Sequence, residues 1–298
     1  MIFVYRKAAS NGARELVGAL RGRRHRDLHR TMAQRAKRGD VVVAWGEALA
    51  PIEGVRILNG GPIRNKYQDA LKLKEAGVPT IEVALTRPLA PAPAAVVDPA
   101  LAYFNTACDQ AEDFVAVRFS RGAPFARGVY ELYESLATLH RALTVPLPVF
   151  PPVPAVDWLG RTNSHVGGND LLNPIINPDF YVKKEAIVKE YRIHSFKGKS
   201  IRAGIKAVRD GFPNPHAWIR SHEAGWRIKY DGVSSKKKHR ELAHKAVTAL
   251  GLDFGAVDIA ERANGSLFVL EVNRAAGIEG GTISAYADAI QRWIRGEE

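Results

Sequence analysis

The sequence predicts a mixed α/β protein in which a small parallel sheet precedes antiparallel sheets. Two patterns predict this arrangement. Over the first 87 residues, short apolar runs alternate with helical segments, which is typical of βαβ units and of a parallel sheet. From residue 180 onward, longer strand-like runs follow one another with short turns between them, which favours antiparallel pairing. The chain is therefore expected to have an N-terminal α/β domain and a different C-terminal architecture.

The N-terminal elements follow from short-range signals. Apolar runs predict strands at 2–5, 41–45, 55–58 and 81–85. Ser10 or Asn11 is a suitable N-cap for a helix that extends to Leu20, and a second helix is predicted at 65–76, where Gly77 ends it. Because strands and helices alternate, the strands are expected to lie parallel, with the helices on the faces of the sheet.

Two proline-rich stretches predict the domain boundaries. One begins at Pro88 and the other extends over 146–154. They divide the chain into an N-terminal, a middle and a C-terminal part: 1–87, 88–154 and 155–298. In the middle part, leucines at helical spacing predict a helix at 129–143, and 101–119 is expected to be mostly helical.

The C-terminal part combines strands with an amphipathic helix. Strands are predicted at 180–183, 187–196, 201–208, 255–261 and 267–272. The dipeptide Asn264-Gly265 between the last two is a strong hairpin-turn signal. A helix at 237–250 has its apolar residues on one face. The strands are expected to form an antiparallel sheet.

Composition restricts the class of protein. With 298 residues, of which 46% are hydrophobic and 25% charged, the chain can bury a large core. No apolar run approaches the roughly 20 residues of a membrane helix, and the N-terminus lacks the features of a signal peptide. We therefore expect a soluble, cytoplasmic protein. The single cysteine, Cys108, excludes an internal disulfide and a multi-cysteine zinc site, and a partly buried thiol is favoured over a nucleophile.

A basic segment at 21–38 holds much of the formal net charge of +12. It contains seven Arg and one Lys against a single acid, Asp27, which gives a net charge of +7. Such a segment can attract a nucleic acid, an acidic polypeptide or nucleotide phosphates, and a solvated Arg-rich helix face is an equally good interpretation. A second cluster at 236–240 is expected to lie on the surface. Neither segment has interleaved aromatic residues, which argues against base stacking.

Three oxygen-bearing side chains belong to the predicted hairpin. Asp258 lies in its first strand, and Glu271 and Asn273 lie at the end of its second strand. Pairing across the turn can bring the three side chains together. Mg²⁺ prefers one or two carboxylates together with phosphate oxygens and water, so the hairpin predicts a Mg²⁺ site beside a nucleotide. For an isolated acid, simple solvation would be the better interpretation.

The same region resembles the C-terminal motif of the ATP-grasp superfamily. The matching residues are LGLDFGAVDI at 250–259 and FVLEVN at 268–273. The resemblance implies that Asp258, Glu271 and Asn273 hold Mg²⁺ against the phosphates of ATP. The following GIEGGT, at 277–282, is similar to the glycine-bearing loop of the glutamate-ligase and glutathione-synthetase-like branch. Ala276 departs from that branch, which usually has proline there.

A second motif resembles the signature that lies near the transferred phosphate in this superfamily. KEYR at 189–192 is similar to its acidic-x-Arg pattern, which implies that Arg192 lies near that phosphate, and Lys206 on the next strand is similarly suited. Fixed positive charge stabilises the negative charge that spreads over a phosphoryl group during transfer. An ordinary surface ion pair between Arg192 and Glu190 is the alternative.

The resemblance also implies residues that contact the nucleotide phosphates. RTNSHVGGN at 161–169 is similar to the loop that closes over ATP, with Arg161 in the place of the basic residue that precedes it. Backbone N–H groups at Gly167 and Gly168 can reach phosphates in such a loop. Lys66 occupies the place of another ATP-contacting basic residue, and a solvated helix lysine is nearly as good an interpretation.

Three further positions complete the implied site. Val182 and Lys183 fall on the strand that binds adenine in the superfamily, largely through backbone groups and apolar contacts. Arg220 lies between the phosphate-site strand and the Mg²⁺ segment, where substrates often bind, and is a candidate carboxylate clamp. The neighbouring Trp218 and Trp226 are expected to be core or interface residues.

The resemblance implies a pre-ATP-grasp α/β domain at 1–87, followed at 155–298 by an ATP-grasp fold of two subdomains with antiparallel sheets. The implied activity is that of an ATP- and Mg²⁺-dependent carboxylate–amine ligase, which forms an amide through an acylphosphate and releases ADP and phosphate. The alternatives are an ATP-grasp kinase that phosphorylates a small molecule and a nucleic-acid-associated ATP-dependent protein that uses the basic segment. The expected partners are ATP, carboxylate and amine substrates, and an acidic polypeptide or nucleic acid.

Overall fold

The computed structural model describes residues 1–6, 11–26, 29–86, 158–163, 178–216, 219–233 and 235–297. Met1–Thr86 and Leu159–Glu298 form one compact unit, and Arg87–Trp158 form a second, of which only Trp158 is described. The predicted helices at 129–143 and 101–119, and also Cys108, lie outside the described residues. The division into three parts therefore stays a prediction. Within the described ranges, no helix is long and apolar enough to cross a membrane.

The first part of the chain forms a four-stranded sheet, the N-terminal sheet, which is parallel as predicted but contains one strand that was not predicted, at 23–25. Its elements in chain order are β1 (Ile2–Tyr5), α1 (Asn11–Ala19), β2 (Arg23–His25), α2 (His29–Arg35), β3 (Val41–Ala44) and β4 (Arg56–Leu58). The strands lie in the order β2-β1-β3-β4, and every adjacent pair is parallel. All of β3 is buried. A central strand of a parallel sheet is covered on both faces, which explains why β3 is an uninterrupted apolar run.

The basic segment contains an edge strand, β2, and a helix, α2, and is not a single Arg-rich helix. β2 could not be recognised from an apolar pattern, because its sequence is Arg-Arg-His. Arg23 and Arg24 are exposed, and only His25 is buried, where its ring lies 6.0 Å from that of Tyr5. Pairing with β1 therefore determines this strand, and its arginines remain accessible.

A three-stranded sheet follows α3 (Lys66–Glu75). It consists of β5 (Val83–Ala84), β6 (Trp158–Arg161) and β7 (Phe180–Lys183), in the order β5-β7-β6. The predicted strand at 81–85 was expected to continue the parallel N-terminal sheet, and this expectation is wrong: β5 is shorter and runs antiparallel to β7, with Val83 opposite Val182. The residues before it, 79–81, hydrogen-bond to the backbone of Val269, so the chain leaves the N-terminal sheet before β5 begins.

A capping box determines where α3 begins. The Asn65 side chain accepts a hydrogen bond of 2.8 Å from the Gln68 N–H, and the Gln68 side chain accepts one of 3.0 Å from the Asn65 N–H. The box places Lys66 in the first turn of the helix, and Gly77, with φ of 67°, follows its end.

A five-stranded antiparallel sheet, the central sheet, forms most of the C-terminal part. Its elements and the adjoining helices are β8 (Lys189–Phe196), β9 (Lys199–Val208), β10 (Trp226–Lys229), α4 (Lys237–Ala249), β11 (Phe254–Glu261), β12 (Leu267–Asn273) and α5 (Gly281–Arg295). The strand order is β10-β9-β8-β11-β12, and every adjacent pair is antiparallel. The predicted antiparallel sheet is confirmed for the strands at 187–196, 201–208, 255–261 and 267–272, whereas the strand predicted at 180–183 belongs to the three-stranded sheet as β7. β10 and α5 are additions to the predicted elements.

The two faces of the central sheet have different surroundings because side chains alternate along each strand. On one face, Ile193 and Val257 pack in a core with α4. On the other face, Phe254 packs against Tyr286 of α5, with ring centroids 5.8 Å apart. Tyr286 also makes an edge contact of 5.3 Å with Trp45, which follows β3. One core therefore contains residues of the N-terminal sheet, α5 and the central sheet.

Asn59 joins the end of β4 to the start of β11. It is 3% exposed and has a positive φ of 57°. Its side-chain oxygen accepts hydrogen bonds from the N–H groups of Asp253 (2.7 Å) and Phe254 (3.1 Å), and its side-chain nitrogen donates to the Phe254 carbonyl at 2.8 Å. Its own N–H donates to the Asp253 carboxylate at 2.7 Å. These bonds attach the N-terminal sheet to the central sheet.

Replacing Asn59 is expected to destabilise the whole compact unit. Asn59→Gly keeps the positive φ accessible but removes the three side-chain bonds, so we expect the free energy of unfolding to fall by about 2–4 kcal/mol. Asn59→Ala should cost roughly 1 kcal/mol more, because alanine is strained at positive φ. Denaturant unfolding of both variants measures these values. Wild-type stability in Asn59→Gly would show that the bonds contribute nothing.

Candidate active site

A cavity of about 890 Å³ opens on the polar part of the central sheet. Its lining includes residues of the central sheet, of the three-stranded sheet and of α3. All predicted site residues other than two line it: Lys66, Arg161, Val182, Lys183, Arg192, Lys206, Arg220, Asp258, Glu271 and Asn273. The exceptions, Gly167 and Gly168, lie outside the described residues. The structure thus brings together residues that are up to about 200 positions apart, while their individual roles stay predictions.

An irregularity in the hairpin sets the positions of the carboxylates. Near the turn, Glu261 is opposite Leu267 and Ile259 is opposite Val269, and a regular ladder would continue by placing Leu270 opposite Asp258. A register shift after Ile259 leaves Leu270 as an extra residue, so Asp258 is opposite Glu271 instead. Val269 therefore faces the core, whereas Glu271 faces the cavity.

Each carboxylate is paired with a cation. Arg192 is opposite Asp258 on β8 and binds it with two hydrogen bonds, from Nε at 2.7 Å and from Nη2 at 2.6 Å. Lys66 Nζ lies 2.7 Å from one oxygen of Glu271, and the Asn273 side-chain N–H donates to the other oxygen at 2.9 Å. Like charges directly opposite one another destabilise a sheet, so these cations are required for the two acids to lie side by side.

The pKa values reflect this balance of charge. Burial would raise the pKa of Glu271, but the charge of Lys66 and the hydrogen bonds from Lys66 and Asn273 hold that pKa at about 2. The charge of Asp258 raises the pKa of Arg192 above its ordinary value. Both groups are therefore ionised across the physiological pH range.

The surface ion pair considered for Arg192 and Glu190 is wrong. Glu190 is 5% exposed, and its carboxylate pairs with Lys206 Nζ at 2.8 Å, because Arg192 is taken up by Asp258. Burial raises the pKa of Glu190, and the Lys206 charge opposes that rise. Lys206 also donates to the Arg220 carbonyl at 2.5 Å, which holds the Arg220 segment against β9.

At the edge of the cavity, Arg220 contacts a backbone carbonyl and an aromatic ring with its guanidinium. Its Nη2 donates to the Ile187 carbonyl at 2.6 Å, and its guanidinium lies 4.8 Å from the centre of the Trp226 ring. Its Nε is buried and has no hydrogen-bond partner among the described residues. Trp226 thus supports Arg220 at the cavity wall.

The three-stranded sheet gives one part of the cavity lining an apolar character. Leu159, Phe180 and Val182 line it. The Lys183 N–H donates to the Glu82 carbonyl at 2.9 Å, and its Nζ pairs with the Glu82 carboxylate at 3.1 Å. An apolar slot beside backbone groups is a suitable place for an aromatic base.

Two tyrosines and a buried histidine beside Arg192 were not predicted. His194 is fully buried, with Nδ1 3.2 Å from the Tyr286 hydroxyl and Nε2 2.9 Å from the Tyr230 hydroxyl. Tyr230 directly follows β10 and lines the cavity. The available sequence signal was Gly204, a glycine in mid-strand, where a Cβ atom would come within 2.9 Å of the Tyr230 ring.

Comparison with known proteins finds matches in structure but none in sequence. No protein-family model matches the sequence, and no curated protein matches it. The D-alanine–D-alanine ligase of Bacillus anthracis matches in structure with a TM-score of 0.53 at 12% identity, over 100% of this chain and 99% of that one. The ATP-grasp ligase PsnB, complexed with a minimal precursor, matches with a TM-score of 0.52 at 13% identity, over 97% of each chain.

The chain has the ATP-grasp fold. The predicted fold class is thereby confirmed, including the antiparallel sheets on two sides of the cavity. Asp258, Glu271 and Asn273, which bear two carboxylates and a side-chain amide, line one cavity. These are oxygen ligands of the kind and number that Mg²⁺ uses beside phosphates, so the residues fit such an ion.

The buried His194 is expected to make stability depend on pH. Burial and the charges of Arg192 and Arg202 lower its pKa from 6.5 to about 3, and Tyr230 and Tyr286 are its hydrogen-bond partners. The unfolded chain therefore takes up the proton first, and stability is lost as the pH falls below about 6.5.

His194→Gln should remove this contribution, because glutamine does not titrate. Between pH 7 and pH 4, we expect wild type to lose on the order of 2–3 kcal/mol more of its free energy of unfolding than the variant. Denaturant unfolding of both proteins at the two pH values measures the difference. Parallel losses would contradict a neutral, buried His194.

Proposed function

We propose that this protein is an ATP- and Mg²⁺-dependent ligase that joins a carboxylate to an amine. The distribution of charge in the cavity is the main support. Arg192, Lys206 and Arg220 bring three cations into the same cavity as the carboxylates of Asp258 and Glu271. Fixed cations beside metal-binding oxygens are suited to transferring a phosphoryl group.

The structurally similar enzymes support the same class of reaction. Both are named as ligases. A further PsnB structure, with a TM-score of 0.50 at 13% identity over 97% of each chain, contains Mg and ADP with a phosphomimetic variant of the minimal precursor. By analogy, ATP and Mg²⁺ are the cofactors that we assign to this chain.

Separate groups would bind the two ends of the nucleotide. The backbone of Val182 and Lys183, beside the apolar wall, would receive the adenine. Arg161 and Lys66 would contact phosphates, together with the backbone of a loop at Gly167 and Gly168. The cavity supports this division, because Phe180 and Val182 lie on the three-stranded sheet, whereas the ion pairs of Asp258 and Glu190 lie on the central sheet.

Asp258, Glu271 and Asn273 would hold Mg²⁺, which when bound neutralises phosphate charge as a Lewis acid. Arg192 and Lys206 would stabilise the negative oxygens of the phosphoryl group. Both are held in place by buried carboxylates, Asp258 and Glu190, so their positive charges are fixed before the nucleotide binds.

Two steps account for the reaction. A substrate carboxylate oxygen attacks the terminal phosphorus of ATP, the bond to ADP breaks, and an acylphosphate forms. An amine then attacks the acyl carbon and loses a proton, and phosphate leaves as the amide forms. Arg220, which lines the cavity, would hold the substrate carboxylate during the first step. The reaction requires no protein nucleophile.

Product analysis tests the ligase against a kinase. Enzyme, ATP and Mg²⁺ are incubated with mixtures of candidate carboxylates and amines, and the products are identified by mass spectrometry. A ligase gives an amide with ADP and free phosphate in equal amounts. A stable phosphorylated acceptor without release of phosphate would identify the kinase instead.

Removing either carboxylate is expected to abolish Mg²⁺-dependent ATP turnover. In Glu271→Gln and Asp258→Asn, we expect ADP release to fall by about a hundredfold or more, because the ion loses a charged ligand. Mg²⁺ should also no longer strengthen ADP binding, which calorimetry measures. Glu261→Gln is the matched control, since Glu261 lies on β11 outside the cavity and pairs with Lys238. Full turnover in both site variants would exclude the metal assignment.

The basic segment is proposed to bind an acidic polypeptide substrate. Its exposed Arg23 and Arg24 lie on the edge strand β2, and Arg30 is exposed on α2. A PsnB structure with a TM-score of 0.50, at 12% identity over 99% of this chain and 98% of that one, contains a precursor peptide. That observation favours a polypeptide over a nucleic acid.

Reversing charge on β2 should weaken such binding. We expect Arg23→Glu combined with Arg24→Glu to reduce affinity for poly-glutamate by at least about tenfold at low salt, with a smaller effect at high salt because of screening. The matched control combines Lys237→Glu with Lys245→Glu on exposed positions of α4. Fluorescence anisotropy with poly-glutamate and with single-stranded DNA compares the two partners. A loss confined to DNA would favour the nucleic-acid alternative.

A further inference from the structure

Tyr230 has an unusual position in the cavity. Its ring lies over Gly204, which is paired with Arg192 across β8 and β9. The Arg202 guanidinium lies 4.6 Å from the ring centre. Its hydroxyl is 2.9 Å from Nε2 of the buried His194. The side chain is therefore held from three sides while it lines the cavity.

Tyr286, His194 and Tyr230 form a row of hydrogen-bonded groups. Tyr286, at the end away from the cavity, determines which group donates in each bond. Tyr286 is 1% exposed, and its hydroxyl has one hydrogen-bond partner within the described part of the chain, Nδ1 of His194 at 3.2 Å. A buried hydroxyl proton without an acceptor costs about 1–3 kcal/mol. Tyr286 therefore donates its proton to Nδ1.

The remaining proton positions follow in sequence. His194 is neutral, so it has one ring proton, and with Nδ1 accepting, that proton is on Nε2. Nε2–H then donates to the Tyr230 oxygen, and the Tyr230 proton must point elsewhere. Burial raises the pKa of Tyr230, whereas the nearby Thr282 hydroxyl lowers it, which is the effect of a group that donates to the Tyr230 oxygen, so Thr282 does not accept that proton. The Tyr230 O–H is left directed to the cavity.

We propose that Tyr230 is a hydrogen-bond donor to the phosphoryl group transferred in the cavity, with its proton oriented by His194 and Tyr286. This rests on the proposed ligase function. The donor is neutral, in contrast to Arg192 and Lys206, and it sits in the cross-sheet row of Arg192 and Asp258. Gly204 is a positioning residue, because a Cβ there would come within 2.5 Å of Ile228 and 2.9 Å of the Tyr230 ring.

Binding of inorganic phosphate to enzyme saturated with Mg²⁺ and ADP tests the proposal, since phosphate is the transferred group after release. In Tyr230→Phe, we expect about fivefold weaker phosphate binding by calorimetry, as for the loss of one hydrogen bond, with unchanged affinity for Mg²⁺ and ADP. Gly204→Ala should give a similar loss through displacement of the ring. Tyr191→Phe is the matched control, because its hydroxyl binds Glu261 outside the cavity.

A second measurement reads the proton positions directly. Nitrogen NMR of His194 in the wild type should show the Nε2–H tautomer, and Tyr286→Phe should shift the Nδ1 signal through loss of its donor. An Nδ1–H tautomer in the wild type overturns the inference whatever the nucleotide results. If wild type fails to bind Mg²⁺ and ADP, the proposed function fails and the phosphate assignment with it. If wild type binds both ligands and Tyr230→Phe binds phosphate equally well, only the inference about Tyr230 is wrong.

Discussion

The side-by-side arrangement of Asp258 and Glu271 is the constraint on which the site depends. Two carboxylates directly opposite on neighbouring strands repel each other, and the mostly buried Asp258 cannot rely on water for compensation. Arg192 from β8 and Lys66 from α3 supply the compensating charge. The two acids therefore also constrain the fold around them, because they require one cation from the neighbouring strand and another from a helix more than 200 residues away in sequence.

Much of this arrangement could be predicted from the sequence, because it depends on local periodicity. Alternation along β8 and β11 places Arg192 and Asp258 on one face and Ile193 and Val257 on the other, whatever the rest of the chain does. The strong turn at Asn264-Gly265 fixes that β11 and β12 pair. Given these strands, the pairing of Arg192 with Asp258 follows, and both line the cavity.

Other features depend on partners that a local pattern does not contain. The extra residue Leu270, which brings Glu271 opposite Asp258, has no signature in the apolar run FVLEV. β2 has two exposed arginines in a row and is a strand only because β1 pairs with it. In sequence, β5 resembles the strands of the N-terminal sheet. The residues before it hydrogen-bond to the backbone of Val269, so β5 lies outside that sheet. The role of Tyr230 could not be predicted without knowing that its hydroxyl and that of Tyr286 bind His194. The one local sequence signal for it was Gly204.

Tyr286 belongs at once to a hydrophobic core and to a hydrogen-bonded chain. Its ring makes edge contacts with both Trp45 and Phe254, and its hydroxyl fixes the proton on His194. The packing of Trp45 and Phe254 therefore positions the Tyr286 hydroxyl, which in turn positions His194 beside Tyr230 in the cavity. A smaller side chain at position 45 would therefore loosen the Tyr286 ring and, through His194, the Tyr230 hydroxyl, although Trp45 itself does not line the cavity.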